Sequence, residues 1–189
     1  MKVLAILQAR FNSTRLPGKV LKPLLGKPML ARQIERLQKA RHIDKLVVAT
    51  SQQATDDDIA QLCDELNIEC YRGDLDDVLD RYYQASLPYQ AEHIVRVTGD
   101  CPLADSEIAD QIIARHLNGK ADYTTNCEPP SFPDGLDIEV FTMKALKDAW
   151  QNAEKPSERE HVTPYIRNHT ELFHCQSVIH HKNLSHLLW

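Results

Sequence analysis

Short apolar runs alternate with amphipathic helical stretches along most of this chain, and that alternation leaves few folds open. Residues 3–7 (VLAIL), 45–50 (KLVVAT), 68–72 (IECYR) and 93–99 (HIVRVTG) read as strands, the first two apolar enough to be covered on both faces. Between them the apolar spacing changes to three and four. A helix over 29–41 shows Leu30, Ile34 and Leu37. A second, opened by a Thr55-x-x-Asp58 capping box, shows Ile59, Leu62, Cys63 and Leu66. A third over 76–86 shows Val78, Leu79, Tyr82 and Tyr83, and a fourth from Asp105 shows Ile108, Ile112, Ile113 and Leu117. Further strands are expected at 121–126, 136–142 and 173–179, with helices at 143–153 and 157–168. This rhythm predicts an α/β three-layer sandwich around a mostly parallel sheet. Ligands of such sheets bind beyond the carboxyl ends of the strands.

Composition narrows the function classes. With 189 residues, 42% hydrophobic and 26% charged, the chain is sized for one globular domain. No apolar run reaches the roughly 20 residues that cross a bilayer, and the start lacks a leader-peptide pattern, so no membrane contact is expected. Five irregularly spaced cysteines without a CxxC predict no disulfide framework and no zinc site, which fits a cytoplasmic protein. The nine histidines lack metal-binding spacing. The net charge of -5 hides a segregation: residues 1–34 hold seven Lys and Arg and none of the 27 acids. That local positive field calls for an anionic partner, and the acidic remainder of the chain argues against nucleic acid. A small polyanion fits better.

The loop at 7–19, LQARFNSTRLPGK, follows the first strand at the ligand-binding edge. It is neither GxxxxGK[ST] nor GxGxxG, yet its parts suit phosphate. Asn12, Ser13 and Thr14 supply short donors; Arg10 and Arg15 can grip phosphate oxygens bidentately, and Lys19 adds a point charge. Without a ligand, the same residues make an exposed basic loop. Asp100, in the RVTGDCPL stretch at the same edge, is placed either to hold a hard cation or simply to cap the next turn. In FPDGLDIEVF, Asp137 and Glu139 share one face of a strand, while Asp134 belongs to a DG turn. Residues 129–135 read as a Pro/Gly-rich flap. In DLDDVLDRY, Asp76 can cap a helix and Asp77 and Arg81 can form a surface pair at i, i+4. A basic cradle beside a carboxylate is what metal-assisted nucleotidyl transfer needs.

At this point the chain resembles a known family. LQARFNSTRLPGKVLKPLLGKPML is similar to the amino-terminal signature of the cytidylyltransferases that activate acidic sugars, including acylneuraminate and KDO cytidylyltransferases. With GDLDDVLDRYY, RVTGDCPL, DGLDIEVF and SEREHVTPYI, it most resembles their SpsF-like branch, named for spore coat polysaccharide biosynthesis protein F. The resemblance implies a Rossmann-like, GT-A-type nucleotidyltransferase fold and Mg²⁺-dependent transfer of CMP from CTP to a sugar acid, releasing pyrophosphate, for a surface polysaccharide. It implies Gln8, Ala9 and Arg10 along the base and ribose, with Ser13, Arg15 and Lys19 near the phosphates. Asp100 would bind Mg²⁺ and, with Arg15 and Lys19, serve catalysis. Asp77, Arg81 and Arg96 would line the nucleotide cleft, Asp137 and Glu139 would face the acceptor, and Arg159, Glu160 and His161 would help close the site. It further implies a homodimer. Relatives continue past a segment like NLSHLLW into a strand with a T-V-D-like motif, whose aspartate is the second expected Mg²⁺ ligand, and a last helix. Residues 1–189 are therefore expected to form a single cytidylyltransferase-like domain lacking that strand and helix. Two other readings remain: a GT-A-type glycosyltransferase, for which D74-L-D76 or D137-I-E139 would be the metal motif, and a truncated, non-catalytic nucleotide-binding or partner protein.

Overall fold

In the computed structural model, which describes residues 2–12 and 16–189, the apolar runs become one sheet. Along the chain, β1 (Val3–Gln8) is followed by a small ribbon of β2 (Pro23–Leu24) and β3 (Lys27–Pro28), then α1 (Met29–Leu37) and β4 (Lys45–Ser51). Next come α2 (Asp57–Glu65), β5 (Cys70–Gly73), α3 (Val78–Ser86), β6 (His93–Thr98), α4 (Ser106–Gly119), β7 (Tyr123–Thr125) and β8 (Glu139–Thr142). The last elements are α5 (Met143–Asn152), α6 (Pro156–His161), α7 (Pro164–Asn168) and β9 (Cys175–Ser177).

The sheet runs β5-β4-β1-β6-β8-β7-β9, and β8 alone is antiparallel to its neighbours. Its centre is dictated by residues that are apolar on both faces. Val3, Ala5 and Leu7 of β1 pack with Leu30, Ile34, Ile59, Ile112 and Ile113 of α1, α2 and α4. Leu4 and Ile6 pack on the opposite face with Leu79, Tyr82, Leu146 and Phe141. Two cores separated by one sheet make three layers, as the sequence predicts. Each fully buried Leu or Ile contributes about 1.5–3 kcal/mol, which is why the central strands tolerate so little polarity.

Several boundaries differ from the sequence reading, each for a local reason. Helix α1 stops at Leu37 rather than 41, because Asp110 of α4 accepts hydrogen bonds from the amides of Arg41 (3.0 Å) and His42 (2.8 Å) and draws the chain away. Thr55 does not open α2 through a capping box. A 3-10 turn at Ala54–Asp56 precedes the helix, and the buried Asp56 carboxylate points back to the Ser51 amide (3.0 Å). Asp77, not Asp76, caps α3, accepting from the Asp80 amide at 2.9 Å. The stretch expected as one helix over 157–168 is split at Val162, and the strands expected at 68–72, 121–126, 136–142 and 173–179 shorten to β5, β7, β8 and β9. The 129–135 loop is pinned rather than loose: the Asp134 amide donates to Leu187 and its carbonyl accepts from Trp189, both at 2.9 Å. Among the described residues no helix is long and apolar enough to cross a membrane.

Candidate active site

The loop after β1 and the turn after β6 are joined at the carboxyl edge of the sheet. The Gly99 amide donates to the Gln8 carbonyl at 2.6 Å. A side chain at Gly99 would put its Cβ 2.9 Å from that oxygen and 3.0 Å from the Ala9 Cβ, so only glycine lets the segments meet. Gln33, fully buried on α1, donates to the Thr98 carbonyl at 2.8 Å and fixes the end of β6 just before this turn. Ala9 is buried and tied to Ala49 at 3.1 Å, while Arg10 is exposed at the edge. The Phe11 amide donates to Asp56 at 2.7 Å, which anchors the base of the loop to the end of β4. The loop then closes on itself: Gly18, at φ 69°, donates its amide to the Phe11 carbonyl at 2.8 Å. Ser13 and Arg15, two of the residues assigned to phosphate, lie outside the described residues with Thr14.

Lys19 leaves this loop and reaches Asp100, Nζ to Oδ2 at 3.1 Å, so the two segments are linked by an ion pair as well. The Asp100 side chain is 43% exposed. Burial alone would raise its pKa, but hydrogen bonding with Thr98 and the Lys19 ammonium outweigh it and hold the carboxyl below its ordinary value. An ionised, accessible carboxylate at the end of a central strand results.

A second wall of the site encloses a cavity of about 270 Å³, lined by Arg96, Cys127, Asp137, His161 and Arg167 among others. Arg96 sits with this group, across β6 and β8 from Glu139, rather than with Gln8 and Lys19. The pair forms a charge-assisted hydrogen bond. Glu139 is 6% exposed and also accepts from Tyr123 Oη (2.6 Å) and Thr163 Oγ1 (2.7 Å). Burial would raise its pKa; Arg96 and the two hydroxyls reverse that and keep it ionised. Its oxygens are thus committed within the protein, so Glu139 shapes the cavity wall instead of offering a free carboxylate to an acceptor. Asp137, just before β8, is exposed, and burial followed by the neighbouring Asp134 and Glu139 charges raises its pKa.

Thr163 reaches Glu139 from a strained turn. Val162 is fully buried at φ 70° and ψ -56°, and the Thr163 amide donates to the His161 carbonyl at 2.8 Å across it. This is the three-residue γ-turn in its rare form, unfavourable for a β-branched residue by about 1–3 kcal/mol. The turn breaks the helix and sets His161 on the cavity wall while Thr163 grips Glu139.

The acidic stretch before α3 is used differently from the sequence expectation. Asp77 does not pair with Arg81. Its carboxylate is gripped by Arg159 of α6, with Nε 3.0 Å from both oxygens, and Arg159 Nη1 donates to the Trp150 carbonyl at 2.8 Å. Arg81 is instead fully buried beneath Gly73, and its guanidinium nitrogens have no hydrogen-bond partner among the described residues. Burial lowers its pKa, while Tyr82 and Asp56 offset part of that effect. Asp74 accepts from the amides of Asp76 and Asp77, both at 2.8 Å, so one carboxylate of the D-x-D pattern is engaged in a turn. Glu160 is exposed and does not line the cavity.

Sequence reasoning missed Tyr123, Cys127, Thr163 and Arg167. The period-two alternation of Tyr123, Thr125 and Cys127 was available to place the first two on one wall. Nothing local marks Thr163, which depends on the turn at Val162.

The comparisons with known proteins agree with one another. A family model described as cytidylyltransferase matches residues 4–186. Spore coat polysaccharide biosynthesis protein SpsF of Bacillus subtilis is 36% identical over 184 residues, covering 92% of this chain and 73% of that protein. The 3-deoxy-manno-octulosonate cytidylyltransferase of Geobacter sulfurreducens is 40% identical over 116 residues, covering 60% of this chain and 45% of its own. A solved cytidylyltransferase structure from Leptospira borgpetersenii superposes with a TM-score of 0.94 at 35% identity, covering 100% of this chain and 80% of that one.

Proposed function

Because the chain belongs to the cytidylyltransferase family, we propose that it transfers CMP from CTP to a hydroxyl of a sugar acid, releasing pyrophosphate, to make a surface-glycan precursor. The observation that carries the reading is the junction of the two edge segments. The basic loop and the Asp100 turn meet through Gly99 and Gln8 at 2.6 Å and through Lys19 and Asp100 at 3.1 Å. That gives cations for a triphosphate and a carboxylate for a divalent ion in one cleft, with a separate cavity alongside for the acceptor.

In this reading Gln8, Ala9 and Arg10 lie along the base and ribose, while Lys19, with Ser13 and Arg15, neutralises the phosphates. Arg81 adds positive potential from below, while Asp77 acts at one remove, holding α6 through Arg159. Arg96 and Arg167 supply the cationic side of the acceptor cavity, which suits a sugar carrying a carboxylate.

Asp100 fits a hard divalent cation: it offers an ionised oxygen donor at an accessible strand end. No group of three or more His, Cys, Asp or Glu among the described residues could hold an ion unaided. A site completed by substrate phosphates and water is the usual arrangement for Mg²⁺. When bound, Mg²⁺ would offset charge on the triphosphate and on the departing pyrophosphate. The protein's part is positional: Lys19 and the closed loop fix the triphosphate, and the wall built on Glu139 holds the acceptor where its oxygen can meet the α-phosphorus in line. The same reading carries a homodimer, checked by the molar mass in solution.

The test is pyrophosphate release from CTP and Mg²⁺ with a panel of sugar acids, KDO and acylneuraminates included. Release with at least one acid, and none with CTP alone, is expected. No pyrophosphate from CTP with any acid, or release of a nucleoside diphosphate from a nucleotide sugar instead, would overturn the assignment.

A further inference from the structure

An acceptor hydroxyl attacking phosphorus must shed its proton, and the cavity contains few groups able to take it. Glu139 is 6% exposed, with its oxygens held by Arg96, Tyr123 and Thr163, and has no room to act. Asp100 is paired with Lys19. The Cys127 thiol, pushed up to about 12 by burial and then by the Glu139 and Asp137 charges, stays protonated. Asp137 differs from all of these. Its carboxylate lines the cavity, it is exposed, and among the described residues it has no ion pair. It shares the cavity lining with Thr98, two residues before Asp100, and feels the charges of both Glu139 on the acceptor wall and Asp100 on the nucleotide side.

We propose that Asp137 is the general base of the transfer, a role that rests on the cytidylyltransferase reading and goes beyond acceptor contact. The acceptor O–H bond breaks and its proton passes to a carboxylate oxygen of Asp137. The freed oxygen pair forms the new bond to the α-phosphorus of CTP, the bond from that phosphorus to the bridging oxygen breaks, and pyrophosphate leaves with that pair. Asp137 then returns its proton to water. Besides Glu139 and Asp100, the groups facing it are Asp134 on its own loop, Cys127 after β7, Arg96 on β6, and His161 and Arg167 from α6 and α7. Burial, then the charges of Asp134 and Glu139, raise its pKa, which makes it a stronger base than an ordinary carboxylate.

The experiment compares wild type, Asp137→Asn, Asp137→Glu and His161→Asn for CTP affinity, thermal midpoint and the pH profile of kcat. Asp137→Asn should lower kcat by about 10²–10³-fold with CTP affinity and midpoint unchanged, and should abolish the acidic limb of the profile. Asp137→Glu should recover part of kcat and keep a limb. The proposal is overturned if Asp137→Asn stays within threefold of wild type, if the limb survives in it, or if the limb vanishes in His161→Asn instead. It is also overturned if excess Mg²⁺ restores Asp137→Asn, which would make the residue a metal ligand. A wild type that releases no pyrophosphate with any acid overturns the reaction itself, a result distinct from an active wild type matched by Asp137→Asn.

Discussion

Replacing Glu139 by Gln should cost more stability than any other single isosteric change in the site. The carboxylate is 8% exposed on its side chain and its partner Arg96 is 17% exposed, so solvent does little to screen either. Arg96 is held charged by Glu139 against the opposing effect of burial, and would remain a buried cation facing an amide. At an effective dielectric constant of about 20, two unit charges 4 Å apart attract by about 4 kcal/mol, and breaking one side of a buried pair typically costs about 3–5 kcal/mol. The amide oxygen can still accept from one of Tyr123 and Thr163, so the hydroxyls add little to that figure. The expected loss is about 3–5 kcal/mol in urea unfolding, or a fall of about 6–20 °C in Tm for a chain of this size. The double variant Arg96→Met/Glu139→Gln removes both charges and should recover at least about 2 kcal/mol of the loss, within the range of coupling energies for contacting residues. A single variant within about 1 kcal/mol of wild type, or a double variant no better than the single, would refute the reasoning that this ion pair organises the cavity wall.

Gly99→Ala should separate the two edge segments, because its Cβ would sit 2.9 Å from the Gln8 carbonyl; turnover should fall at least about tenfold, and full activity would show that the close approach is dispensable. The fully buried His116 contacts His93 Nδ1 and Thr124 Oγ1, both at 3.0 Å, and burial, then the His93 charge, pushes its pKa down to about 4. Unfolded His116 protonates near 6.5, so its stability contribution is complete above that pH and is lost as pH falls towards 4. The stability gap between wild type and His116→Gln should therefore shrink by about 3 kcal/mol from pH 7 to 4. A gap that stays constant with pH would contradict this. Arg159→Met, which frees Asp77 in a pair that is 23% and 33% exposed, should cost about 1–2 kcal/mol and speed amide exchange over 156–168; unchanged exchange would show that the pair does not hold α6.

The layered fold was legible because the strands are apolar on both faces and the helices on one, a pattern that forces a covered, mostly parallel sheet. The family too was legible, since its motifs recur in order along most of the chain. Within the site, local chemistry pointed to Lys19, Asp100 and the first loop as neighbours of one edge, because the loop that carries Lys19 and the turn that carries Asp100 each directly follow a strand. What could not be read locally were the pairings. Asp77 looks like a partner for Arg81 four residues on, but finds Arg159 eighty-two residues away. Glu139 and Asp137 look equivalent by strand periodicity. Only the contacts from β6, β7 and the Val162 turn show that one is saturated and the other open. Val162 itself gives no warning, since valine at positive φ is set by tertiary packing against the core rather than by its own preference.

The central claim is that the loop after β1 and the Asp100 turn form one CTP–metal site, and calorimetric titration of CTP with and without Mg²⁺ tests it most directly. The account predicts that CTP binds wild type more tightly with Mg²⁺, that Asp100→Asn loses this enhancement, and that Lys19→Ala weakens binding by about tenfold or more. Absence of CTP binding to wild type, or an Asp100→Asn titration indistinguishable from wild type in Mg²⁺, would contradict it.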